Sequence, residues 1–332
     1  MDANGLLVTP AGSDNVEDFG NQLALCGDRL AVGTFGPIRL FEKRQRRWSA
    51  TDSIELSAAD SRFSSQGLVY SQDTLAFSVY ETRMDSVPGS RNGTFVYLYR
   101  VGDHGKAHLL QKLAPAAGDT GGFGKALALK NDLLVIGSPG GIDYQNGAPP
   151  GQVYVYSRRG DRWTLEQRIQ SPTGAPNSDF GAGVAIGHHA ILVGAPAEDF
   201  IGDEEFTSAS GELHVFAKVH GVWAQTQETR PSDSSPVGLF NGFGAIIATG
   251  GGRVVIGAPS PTDVFGGYFG PTVIYRWEAD TLVLDNYISS TLAASLDVSG
   301  NRIIVGENTQ TKYGFYNQAV VLTYPAAAHS RR

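Results

Sequence analysis

Apolar residues in this chain come in short runs that alternate with polar ones or stand as brief unbroken blocks. Each run is bounded by Gly, Pro, Asn or Asp. Such runs read as β-strands. Nowhere does an apolar stripe of period 3.6 persist, which predicts very little helix. The stretch DFGAGVAIGHHAILVGAPAEDF, followed by GELHVFAKVHGVWAQTQE, gives the pattern at its clearest. It predicts strand A at 184–186, a tight turn at 187–189, strand B at 191–193, a long loop, strand C at 212–217, a short turn and strand D at 223–227.

The unit recurs. An aromatic or equivalent residue is followed fourteen positions later by a small residue that closes an apolar run, six times over. The pairs are Phe19 and Gly33, Ser64 and Ser78, Phe123 and Gly137, Phe180 and Gly194, Phe243 and Gly257, and Leu292 and Gly306. A constant interval inside a repeat of variable length marks one structural unit with its insertions kept outside. Strand C returns at 95–99, 153–156, 273–275 and 320–324, and strand D at Trp48, Trp163 and Trp223 and, without Trp, at 108–113 and 282–287. The sixth repeat ends after strand C, while an apolar segment at 5–9 precedes the first repeat where a D strand belongs. A chain that starts with the last strand of its last unit closes a ring. The expected fold is all-β: a six-bladed β-propeller of four-stranded antiparallel blades, closed by the N-terminal strand. One domain over 1–325 follows, because blades lean on their neighbours, with 326–332 a disordered tail.

The motifs DFG…VGAP in repeat four and GFG…IGAP in repeat five resemble FG-GAP repeats, as in the integrin alpha propeller and many bacterial proteins. The resemblance covers nearly the whole chain and is strongest in repeats three to five. It implies a ligand-binding propeller, secreted or exposed at a cell surface. Integrin propellers have seven blades against six here, so integrin function is not carried over. The family's calcium loop, of the DxDxDG kind between strands A and B, is replaced by tight turns such as Gly27-Asp28 and Asn131-Asp132. No repeat then supplies the several oxygens that calcium needs. Neither metal nor cofactor is expected.

Antiparallel order puts all B–C and D–A loops at one end of the blades and all A–B and C–D turns at the other. The A–B turns are minimal, whereas the B–C loops at 81–94, 138–151, 195–211 and 258–271 are long and unlike one another. Long irregular loops on a rigid scaffold are where binding usually resides. They are acidic: Glu198, Asp199, Asp203, Glu204 and Glu205 share one loop, and Asp14, Glu17, Asp18, Asp119 and Asp179 lie in D–A loops. The C–D turns are basic through Lys43, Arg44, Arg46, Arg47, Arg158, Arg159 and Arg162. Two solvated, charged rims account for this as readily as two binding faces do.

Aromatic residues are plentiful in the loops: Tyr144, Phe200, Phe206, Phe265, Tyr268, Phe269, Tyr313, Phe315 and Tyr316. Beside carboxylates they suit sugar rings, whose C–H faces stack while the hydroxyls hydrogen-bond. Folding back to plug the core is the other use for such side chains. At the starts of the A strands, near the channel mouth, stand Asn21, Gln22, Gln66, Lys125, Ala182, Ala245 and Ser295. Lys125 is the one charged member. It could bind an anion or simply neutralise the acidic rim.

Net charge −7 argues against nucleic acid as a partner. The one cysteine, Cys26, excludes an intrachain disulfide. No apolar run is long enough to span a membrane. The start, MDANGLLVTP, lacks the parts of a signal peptide, so either the chain is cytoplasmic or a leader has been removed. Arg159-Gly160-Asp161 reads first as a tight turn, and Asn92-Gly93-Thr94 matters as a glycosylation acceptor only in a eukaryotic secreted protein. His188 and His189 lack a third ligand for zinc.

Three functions follow as expectations. The first is a non-enzymatic, monomeric binding module for a glycan or surface protein. Its residues would be Tyr144, Glu198, Asp199, Phe200, Asp203, Phe265, Tyr268, Phe269, Tyr313, Tyr316, Asn21, Gln22 and Lys125. The second is a metal-free cyclase, isomerase or lyase that holds a small apolar molecule at the channel mouth, with Lys125 and Tyr268 as catalytic candidates. The third is a scaffold that docks an acidic partner on the basic turns.

Overall fold

The computed structural model describes residues 20, 22–34, 37–55, 67–81, 93–119, 121–140, 149–196, 211–230, 242–258, 272–288, 293–311 and 314–324. The first four sheets are built as follows. Blade 1 holds β1 (Leu23–Cys26), β2 (Arg29–Val32), β3 (Ile38–Arg44) and β4 (Arg47–Ile54). Blade 2 holds β5 (Leu68–Ser71), β6 (Thr74–Glu81), β7 (Gly93–Val101) and β8 (Ala107–Leu113). Blade 3 holds β9 (Ala126–Lys130), β10 (Leu133–Ser138), β11 (Gln152–Arg159) and β12 (Arg162–Gln170). Blade 4 holds β13 (Gly183–Gly187), β14 (Ala190–Ala195), β15 (Glu212–Val219) and β16 (Val222–Thr229).

Blade 5 holds β17 (Ile246–Gly250), β18 (Arg253–Gly257), β19 (Thr272–Glu278) and β20 (Thr281–Ile288). Blade 6 holds β21 (Ala293–Ser299), β22 (Arg302–Thr311) and β23 (Gly314–Thr323). Each sheet is a meander in chain order, and the fold is the expected all-β, six-bladed propeller. The fourth strand expected for blade 6, at 5–9, lies outside the described residues. The only helix among those residues is a single 3-10 turn at Asp103–Gly105. Two compact units divide the chain, one of residues 1–119, 123–134 and 157–164, the other of 120–122, 135–156 and 165–332.

The fourteen-residue interval has a hydrogen-bonding cause. The Gly20 N–H donates to the Gly33 carbonyl (3.0 Å), and Gly181 N–H to the Gly194 carbonyl (2.9 Å). The approach to strand A is thereby tied to the end of strand B. Two-residue A–B hairpins keep the count fixed, and the first turn residue has positive φ in all six blades: Gly27, Gln72, Asn131, His188, Gly251 and Gly300. Small residues at the far end admit the next blade. A Cβ on Gly194 would overlap the Gly244 carbonyl, and one on Gly151 the Phe180 carbonyl. Phe180 and Phe243 are fully buried, and Phe180 meets Phe216 of its own blade edge-on at 6.1 Å.

The core lies between blades. Leu192, Leu213 and Val215 of blade 4 pack with Val254, Ile256, Val273 and Tyr275 of blade 5. In the first unit, Leu40 and Ile54 of blade 1 pack with Leu75 and Phe77 of blade 2. Each such side chain contributes about 1.5–3 kcal/mol through burial.

A polar device repeats at the outer strands. Gln111 Nε2 donates to the Trp163 carbonyl (3.1 Å) and Trp163 N–H donates back to Gln111 Oε1 (3.0 Å). Gln167 exchanges the same two bonds with Trp223 (2.8 and 2.9 Å), and Gln227 does so with Leu282 (2.9 and 2.8 Å). A side-chain amide thus completes the unpaired edge of the following D strand, where buried backbone groups would otherwise lack partners. Between blades 1 and 2 a carboxylate substitutes: Ala107 N–H donates to Asp52 Oδ2 (2.9 Å). A β-bulge sits beside three of these positions, between Leu40 and Phe41, Leu98 and Tyr99, and Val215 and Phe216. Bulges re-aim side chains, and here the re-aimed residue directly follows the bulge on strand D.

Candidate binding site at the loop end of blade 4

Short connections gather at one end of each blade. Beside the two-residue A–B turns, the C–D turns are 45–46, 160–161, 220–221 and 279–280, and 102–106 in blade 2. The long connections leave from the other end, as the sequence implies. One does not: the loop expected between strands B and C of repeat six is instead a continuous hairpin, β22 pairing β23 from Arg302↔Thr323 to Thr311↔Gly314. Phe315 and Tyr316 therefore stand in strand β23, with Tyr316 opposite Thr309. The ladder continues through the polar run 307–311, a stretch that reads as loop by composition.

Of the other sequence candidates, Gln22 is half-buried just before β1, and its carbonyl accepts from Gly33 N–H (2.8 Å). Lys125 is exposed just before β9. Asn21, Tyr144, Glu198, Asp199, Phe200, Asp203, Phe265, Tyr268, Phe269 and Tyr313 lie outside the described residues.

The described part of the loop end holds a cluster that the sequence reading passed over. Glu212 and His214 alternate on β15 and so point to one face, and Glu228 on β16 pairs directly with His214. His214 is completely buried and Glu212 is 1% exposed. His214 Nε2 stands 3.5 Å from Glu212 Oε2, and its Nδ1 4.0 Å from Glu228 Oε2. Arg230, just beyond β16, pairs with Glu212 and lies 3.6 Å from Glu228 Oε1. Phe180 packs its ring edge-on to the imidazole at 5.3 Å. Burial pushes the His214 pKa down; Glu228 pulls it up and Arg230 lowers it further.

The sequence signal was present in ELHVF, where acid and histidine alternate inside an apolar strand. Registered on the closing residue of strand B, His214 holds the place of Tyr97 in blade 2 and Val273 in blade 5. A histidine there reads as a core residue until its cross-strand neighbour is known.

Blade 2 carries a smaller cluster at the same end. Lys112 Nζ donates to Glu81 Oε1 (2.6 Å), Tyr97 Oη donates to the same oxygen, and the ammonium sits 3.8 Å from the centre of the Phe95 ring. Every polar group there is answered within the blade.

Some charges at the turn end are consumed internally. Arg44 holds Glu42 (2.6 Å), Arg158 holds Asp73 (2.5 Å), and Arg100 pairs with Asp161. The Arg159-Gly160-Asp161 triplet is accordingly a tight turn with Gly160 at φ 60° and its acid engaged. His188 stacks on Trp277 at 5.0 Å and reaches Asp280 (3.7 Å), joining the turn ends of blades 4 and 5.

Residues 163–216 match the family model described as FG-GAP repeat. This match and the six-bladed architecture fit an FG-GAP propeller of the integrin-alpha-like kind. No curated protein matches the chain. No helix among the described residues is long and apolar enough to cross a membrane.

Proposed function

We propose that this protein is a non-enzymatic binding module that grips a glycan with the loop end of its blades, in a secreted or surface-exposed setting. The observation that carries the reading is the inequality of the two ends. Part of the turn-end charge is spent on neighbours, Arg44 on Glu42, Arg158 on Asp73 and Arg100 on Asp161. Every long connection, with its carboxylates and aromatic residues, belongs to the loop end. Loops of unequal length and content favour one or two composite sites over six equal ones.

A glycan array probed with the wild-type protein, then with a Tyr144→Ala/Phe200→Ala/Tyr268→Ala variant, tests this. The expected result is a defined set of bound saccharides that the variant loses while its stability stays within about 0.5 kcal/mol, as for surface changes. Binding of a protein ligand but no saccharide would transfer the site to a surface-protein partner. Undiminished saccharide binding by the variant would remove the aromatic loops from the site.

A further inference from the structure

Among the described residues one cluster brings three metal-competent side chains together: Glu212, His214 and Glu228, with one ligand atom from each within 4.8 Å of the others. Arg230 satisfies the carboxylates in part, through Glu212 and, at 3.6 Å, Glu228. It does nothing for the histidine. Both ring nitrogens of His214 are fully buried without a hydrogen-bond partner. A guanidinium has only donors and is no acid toward an imidazole lone pair beyond hydrogen-bond reach. A divalent ion on one ring nitrogen would serve that nitrogen and both carboxylates, and would leave the other ring nitrogen facing a carboxylate.

We propose that Glu212, His214 and Glu228 form a site for a first-row transition dication, for which Arg230 is the resident competitor. Two ligands at Zn–N and Zn–O distances of about 2.0–2.2 Å stand about 3.4 Å apart in a tetrahedron. The observed His214–Glu212 separation is 3.5 Å. Imidazole beside carboxylates suits zinc and its neighbours in the first row, with manganese the weakest of that series; calcium and magnesium want oxygen alone. Two carboxylates neutralise a dication, whereas Arg230 leaves one negative charge of the pair unbalanced, so the exchange brings the buried site to zero net charge. Arg230 has a side chain 50% exposed and can swing to water. The site lies in the strands of one blade and is independent of glycan binding by the loops.

Isothermal titration of the chelator-treated full chain with Zn²⁺, Mn²⁺ and Ca²⁺ tests the proposal. One equivalent of Zn²⁺ or Mn²⁺ should bind and raise the melting temperature, and Ca²⁺ should do neither. Arg230→Gln should tighten binding by about tenfold or more, the scale on which neighbours of ligands act. His214→Gln should abolish uptake. Glu228 is accessible from solvent, so Glu228→Gln gives a second ligand variant should His214→Gln fail to fold. A purely ionic cluster predicts the reverse for Arg230→Gln: lower stability and no gain in metal affinity. Absence of uptake by both wild type and Arg230→Gln, or equal uptake by the ligand variants, overturns the site.

Discussion

Single residues in this fold are constrained most tightly where two backbones meet. Gly194 closes a B strand against the Gly244 carbonyl. Adding one methyl there forces the backbones apart, and overpacking of this kind costs about 1–3 kcal/mol. Gly194→Ala should therefore lower the urea midpoint by that equivalent; an unchanged midpoint would mean that the blades do not press together at this point. Such a glycine is legible from the repeat. The role of Asp73 is not, because its partner lies 85 residues away. The Arg158 hydrogen bonds hold the Asp73 carboxyl down at about 2 against burial, with help from Thr74 and Arg100. An unfolded Asp titrates near 3.9. The folded value is the lower one, so the contribution is complete above about pH 4 and disappears as pH falls to about 2. Stability of Asp73→Asn should lack that acid-side slope; a parallel pH curve for wild type and variant would dismiss the pair as a stabilising contact.

Elements owe their order to a local closure and their association to a distant one. Strand positions were readable because A–B hairpins are minimal and the Gly20–Gly33 and Gly181–Gly194 bonds fix the count. What sequence could not supply was the use of Gln111, Gln167 and Gln227. A glutamine on an outer strand reads as a solvated residue. Its amide reaches the following blade only because of where that blade's D strand lies, and in blades 2 and 4 a bulge aims it. The lost loop of blade 6 has the same lesson in reverse, since ladder extension over 302–323 is settled by pairing along its whole length. Gln227→Ala leaves the Leu282 N–H and carbonyl unanswered, at about 1–3 kcal/mol for buried groups. Gln225→Ala, on the same strand but exposed, should stay within about 0.5 kcal/mol. Equal effects in chemical denaturation would show that the amide exchange contributes nothing specific. The blade 4 cluster was hidden for a related reason. Glu212 and His214 share a face by alternation, but Glu228 joins them through register, which follows from the bulged β15–β16 pairing.

At the scale of the molecule, the net charge of −7 conceals a division between acidic loop ends and basic turn ends. The sequence shows the division but not how many charges are available. Arg44, Arg100 and Arg158 have acidic partners within hydrogen-bonding or ion-pair reach, so the basic rim is weaker than its residue count. Exposed Arg47, Arg159 and Arg162 remain to attract a polyanion. Reversing them as Arg47→Glu/Arg159→Glu/Arg162→Glu changes the field at the turn end and leaves the loops untouched. At physiological salt the Debye length is about 8 Å, so the reversal is little felt at the far end of the blades. Glycan affinity should then change by less than about twofold, measured by titration at 0.15 M salt, the ionic strength to which that length refers. A loss of binding on reversal, with the loop variant still competent, would move the docking surface to the turn end and make the acidic loops a solubilising rim.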